Sequence, residues 1–143
     1  MKFRSTIGLL TGLLLCLQLL ACSSPPHAGQ ISAAALATQI EQGIAPLILD
    51  VRSAEEYATS HIPGALNINY RDIPNQLNSL QPYANQEIIV YCERGVRASR
   101  AEARLGKAGF SHVRQLRGDM SAWRAANLPV EVVTVIESSV SGQ

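Results

Sequence analysis

The sequence predicts one α/β domain: a mostly parallel, five-stranded sheet with helices on both faces. Three observations predict it. Short apolar runs, LILDV at 47–51 and EIIVY at 87–91, suit strands buried on both faces. Stretches of helical periodicity separate the strand candidates, and such alternation produces parallel pairing. The chain has 143 residues, 47% hydrophobic and 16% charged, enough for one core and unlike a disordered chain. Basic and acidic side chains number 12 and 11, and aromatics make up 5%. Neither value suits a nucleic-acid surface, which needs excess positive charge and rings for stacking.

Each element has a local cause. Ser32 is an N-cap for an alanine-rich helix to Gln42, and Gly43 stops it. Pro46 opens the strand 47–51. Ser53 with Glu56 forms a capping box for a short helix through Ala58. His61-Ile62-Pro63-Gly64 is a turn into a strand at 65–68. Asp72 is expected to cap a helix with Pro74 in its first turn, running to Leu80, with Pro82 closing it. After the strand 87–91, a helix runs from Val96 to Ala108, and Gly109 takes the left-handed position beyond it. Its buried stripe is Ala98, Ala101, Leu105 and Ala108; Arg97, Arg100, Arg104 and Lys107 make the opposite one, with Arg100, Arg104 and Lys107 read as a solvated face. A strand at 112–116, a helix carrying Trp123 and a closing extended segment at 128–136 complete the domain.

The domain is expected over 31–136, with a flexible tail at 137–143. Residues 1–21 read as a leader: Lys2 and Arg4 precede an apolar stretch from Ile7 to Ala21 with eight leucines, short for a membrane span. Its end, Leu19-Leu20-Ala21-Cys22, resembles a bacterial lipobox. That resemblance implies lipidation at Cys22, a linker over 22–30, and a periplasm-facing lipoprotein of the cell envelope. Ser23 after the cysteine resembles sorting to the outer membrane.

Charge is uneven along the rest. Residues 23–91 carry net −4 and residues 92–124 net +5, and the basic segment begins at Cys92, the only cysteine outside the leader and lipobox. One thiol excludes an internal disulfide, a resolving partner for dithiol chemistry and a cysteine metal cluster. His27, His61 and His112 have no ligand spacing, so neither metal nor cofactor is expected. Cys92 is the first residue past EIIVY, at the carboxyl end of a strand where α/β sheets place their sites. The loop CERGVR leads directly into a helix, so backbone N–H groups converge there as an anion nest and favour a thiolate nucleophile. Gly95 supplies a residue free to take positive φ. Glu93, Arg94, Val96 and Arg97 complete the loop as candidate substrate-binding residues. Asp50 and Arg52, ending a neighbouring strand, are supporting candidates, with Arg52 expected to pair with Glu55 or Glu56. His61 is expected to be a turn histidine bonded to backbone.

Cys92-Glu93-Arg94-Gly95-Val96-Arg97 resembles the C-x-x-G-x-R loop of the rhodanese family, the sulfurtransferase homology domain. Asp50-Val51-Arg52, Glu56-Tyr57 and His61-Ile62-Pro63-Gly64-Ala65 resemble its first signature. Leu116-Arg117-Gly118, Ala122-Trp123 and Leu128-Pro129-Val130 resemble its closing one. The resemblance is greatest to small single-domain secreted members and covers about residues 31–132. It implies a persulfide at Cys92, loaded by thiosulfate or another sulfane donor and discharged to cyanide or a thiol. Ser60 and Asp119 stand where the family usually has glycine. Glu93, an acid beside the nucleophile, is expected to offset Arg94 and Arg97 and weaken the preference for thiosulfate. Two other functions compete. A phosphatase or arsenate reductase needs C-x5-R, and Ala98 occupies that arginine position. A non-catalytic carrier of reactive sulfur would need the same nest.

Overall fold

The computed structural model describes residues 29–134. The leader, the Cys22 lipobox and the tail from 137 lie outside the described residues. Five strands, β1 (Gln30–Ile31), β2 (Leu47–Asp50), β3 (Leu66–Asn67), β4 (Ile88–Tyr91) and β5 (Val113–Leu116), form one sheet in the order β1-β5-β4-β2-β3. Every pair in it is parallel.

The fifth strand is not the one expected. Gln30, assigned above to the linker, joins Ile31 as β1 and pairs with Gln115 and Leu116. Two residues are too few to show a period in the sequence. The closing segment instead makes a single antiparallel bridge, Glu131 to His61, so it docks on the His61 turn.

The helices are α1 (Ala33–Glu41), α2 (Ala54–Thr59), α3 (Ile73–Leu80), α4 (Val96–Lys107) and α5 (Asp119–Ala125). The Ser32 hydroxyl accepts from the Ala35 N–H at 3.2 Å. Ser53 and Glu56 cap each other's backbone N–H groups at 3.2 and 3.0 Å, fixing the start of α2. Asp72 does not cap α3 with its side chain. Pro74 removes one donor of the first turn, and the Asn75 N–H donates to the Asp72 carbonyl at 2.9 Å, leaving the carboxylate little to accept. Gly109, at φ 94°, ends α4, and the Phe110 N–H returns to the Leu105 carbonyl at 3.1 Å.

Alternation along the strands feeds two cores. Leu49, Val51, Ile88, Val90 and Cys92 face α3 and α4 and meet Ala98, Ala101 and Leu105. Ile48, Ile89 and Tyr91 face the opposite side, against Leu36, Met120 and Trp123. β4 is buried along its whole length. The strand order reverses between β2 and β4, which opens the crevice beyond their carboxyl ends where ligands bind such sheets. Cys92 and Val51 leave the sheet at that point.

Candidate active site

Cys92 follows β4 directly and is 2% exposed. Its Sγ accepts from the Gly95 N–H at 3.1 Å. Gly95 sits at φ 91°, the left-handed conformation that turns the chain tightly enough for that contact. The N–H groups of Glu93, Arg94, Val96 and Arg97 make no hydrogen bond to another described residue. The Gly95 N–H is thus bonded to the sulfur, and the uncommitted N–H groups of the loop and of the first turn of α4 lie at an end of a helix, which favours an anion. Ala98 is fully buried in the core, so the sixth position after the cysteine offers no side chain to an oxyanion.

The start of α5 sets the loop from behind. Asp119 Oδ1 accepts from the Cys92 N–H at 2.7 Å, the Met120 N–H donates to the Cys92 carbonyl at 3.0 Å, and the Ser121 N–H donates to the Glu93 carbonyl at 3.3 Å. A Cβ at Gly95 would lie 3.3 Å from Asp119 Oδ2, so loop and carboxylate are in close contact. Asp119 is 4% exposed, and burial raises its pKa against the hydrogen bonds from Cys92 and Gly95. Its φ of 55° explains why glycine is usual here, and the carboxylate contact is what the aspartate adds. In the sequence the only signal for Asp119 is a non-glycine after Gly118. Ser60, the other departure, has φ −170° and so needs no glycine.

The charged candidates are distributed differently from expectation. Arg52 does not pair with Glu55 or Glu56. Its guanidinium folds back on Asp50, with contacts of 2.6 to 3.1 Å, and donates to the Ser60 carbonyl at 2.6 Å. Both partners are buried, which a bidentate charged pair tolerates. A further nitrogen lies 3.6 Å from Glu93, so this pair supports the loop from the β2 side. Glu56 instead binds Arg97 through both oxygens, at 2.5 and 2.8 Å. That bond drives the Glu56 pKa down to about 2. Glu56, and after it the Cys92 sulfur, raises the basicity of Arg97. The Arg97 guanidinium thus stands beside the sulfur while anchored to α2.

Glu93 pairs with Arg124, and Arg52, itself bound to Asp50, lies 3.6 Å from it, so its charge is taken up by Arg124 more than by Arg94 or Arg97. Arg94 is exposed and lines a concavity with Gly95, Ser99 and Asp119, while Val96 stands exposed at the rim. His61 is stacked on Tyr57 at 3.7 Å, and its Nδ1 donates to the Tyr57 carbonyl at 2.8 Å. Its backbone joins Glu131, so it serves the turn.

Fold and loop together define a class: parallel α/β proteins that hold one cysteine in a tight loop between a strand end and a helix start. The pattern of the Rhodanese-like domain matches residues 32–126, and the chain belongs to that family. It is 34% identical over 100 residues to the putative sulfurtransferase YtwF of Bacillus subtilis, covering 70% of this chain and 94% of that one. It is 31% identical over 70 residues to the thiosulfate sulfurtransferase PspE of Escherichia coli, covering 49% and 67%. The crystal structure of the Alr3790 protein from Anabaena superposes with a TM-score of 0.66 at 34% identity, over 72% of this chain and 82% of that one.

Two predictions follow the geometry. Asp119→Ala strands a buried N–H and places alanine at positive φ, costing about 2–4 kcal/mol by urea denaturation. Asp119→Asn keeps an acceptor and stays within about 1 kcal/mol. The depressed Glu56 pKa makes the Arg97 pair stabilising above the ordinary carboxylate pKa of 4.5, a contribution lost as pH falls toward 2. Both side chains are partly exposed, so the contribution is about 1 kcal/mol after screening, and Arg97→Gln flattens the acid limb of the stability curve over that interval.

Proposed function

We propose that this protein transfers sulfane sulfur through a Cys92 persulfide, with thiosulfate or a related sulfane anion as donor and cyanide or a thiol as acceptor. The observation that carries this reading is the placement of Sγ inside the amide loop. The Cys92 thiolate attacks the outer sulfur of thiosulfate; the S–S bond breaks and its electron pair leaves on sulfite. The persulfide anion extends from Sγ into the reach of the loop N–H groups and Arg97, which stabilise its charge without a change of structure. Cyanide or a thiolate then attacks the terminal sulfur, the Sγ–S bond breaks, and the Cys92 thiolate returns. No oxidant, reductant or metal enters the balance. The pairing of Glu93 with Arg124 supports a dianionic donor, as does the relative whose name gives thiosulfate as substrate.

Wild-type protein is expected to form thiocyanate from thiosulfate and cyanide with saturation in both, and Cys92→Ser to form none. Persulfide formation without turnover on any acceptor would favour a carrier. A lipid tether at Cys22, holding the domain at the periplasmic side of the envelope, is part of the same proposal and rests on the lipobox alone. Precursor carrying Cys22→Ala is expected to lose membrane partitioning in cell fractionation; unchanged partitioning and processing would remove the tether.

A further inference from the structure

Three guanidinium groups converge on one ring. The Cζ atoms of Arg71, Arg104 and Arg100 lie 5.3, 5.4 and 5.9 Å from the centroid of Tyr70. Arg71 precedes α3, whereas Arg100 and Arg104 come from α4, so two separate elements bring the charges together. Arg104 is held by donating to the Tyr70 carbonyl. The helix face that the sequence read as a solvated stripe is therefore partly gathered around a buried aromatic.

The cluster lacks its counter-charge. Arg52, Arg97, Arg114 and Arg124 each pair with a carboxylate. Arg71, Arg100 and Arg104 pair with none among the described residues. Like charges held over one ring repel, and an anion placed among them relieves that repulsion. Burial raises the pKa of the Tyr70 hydroxyl, yet the Arg71 charge and hydrogen bonds from Arg100 and Arg71 outweigh it and bring the value down.

The cluster shares the edge of the sheet that carries the sulfur. The Tyr70 N–H donates to the Val51 carbonyl, and the Val51 N–H donates to the carbonyl of Tyr91, the neighbour of Cys92. Two strand spacings make that about 10 Å. Along α4, Arg97, Arg100 and Arg104 stand on successive turns leading away from the sulfur, about 5 Å per turn. A thiosulfate ion at Cys92 cannot span this distance. A small peptide-sized thiol with carboxylates at its far end can.

We propose that Arg71, Arg100 and Arg104 around Tyr70 form the acceptor subsite, binding the carboxylates of a low-molecular-weight thiol whose sulfur reaches the Cys92 persulfide. This rests on the sulfur-transfer reading, and its tests are separable from it. Glutathione serves as acceptor probe, glutathione diethyl ester and 2-mercaptoethanol as acceptors without free carboxylates, and S-methylglutathione as a ligand unable to accept sulfur. In Arg71→Gln/Arg100→Gln, KM for glutathione is expected to rise about tenfold, while thiosulfate loading and discharge to the two uncharged thiols stay unchanged. Lys107→Gln, on the same helix but outside the cluster, is expected to leave KM for glutathione unchanged.

Calorimetric titration with S-methylglutathione is expected to show binding to the wild type and about tenfold weaker binding to the double variant. No binding to the wild type, or equal binding to both, overturns the subsite. A rise in KM for thiosulfate instead would make the cluster a donor site and overturns it too. Failure of every sulfane donor to load Cys92 sinks the transfer reading, whereas the titration, which needs no persulfide, tests the subsite separately.

Discussion

The cysteine loop has almost no regular structure of its own, and its shape is imposed by the first turn of α5. Asp119 accepts from the N–H of Cys92, while Met120 and Ser121 donate to the carbonyls of Cys92 and Glu93. These three bonds orient consecutive peptide planes, so the chain beyond Cys92 turns tightly enough for the Gly95 N–H to reach the sulfur. Gly95 closes the turn and starts α4. An anion nest depends on dipoles already in place before the ligand arrives, since reorienting them at the moment of reaction would consume the stabilisation they give. The α5 contact is what keeps this nest preorganised.

Charge is arranged around the loop in two groups. The paired arginines do structural work that also shapes the field: Arg52 with Asp50 beneath the β2 end, Arg97 with Glu56 beside the sulfur, Arg124 with Glu93 on the outer edge. Each places a cation near the loop with its partner carboxylate satisfied, so the loop is braced by ion pairs without isolated buried charge. Arg71, Arg100 and Arg104, gathered on Tyr70, pair with no carboxylate among the described residues. The net +5 of residues 92–124 thus combines a neutralised framework near Cys92 with open charge farther along α4.

Much of this was legible in the sequence because it rests on local rules. The Ser53–Glu56 capping box, the apolar run of β4 and the positive-φ glycines at 95 and 109 are all set by neighbours within a few residues. So is the exit of Cys92 from a strand. What was not legible depends on distant partners. Glu56 lies 41 residues from Arg97, and Asp119 27 residues from Cys92; no periodicity links them. The Arg52 pairing was misread for a geometric reason: the chain bends after Asp50, and the guanidinium folds back over two residues to a carboxylate that sequence proximity alone did not favour. Tyr70 carries no signal in the sequence, because the arginines on its ring come from two separate elements.

The account stands on Cys92 as a sulfur that bonds covalently to a donor atom and releases it. Intact mass of the purified protein after brief incubation with thiosulfate, and again after cyanide, tests this most directly. The predicted result is a gain of one sulfur atom located at Cys92, reversed by cyanide as thiocyanate appears. No gain with any sulfane donor, in folded protein whose Cys92 thiol is shown to be free, would contradict it.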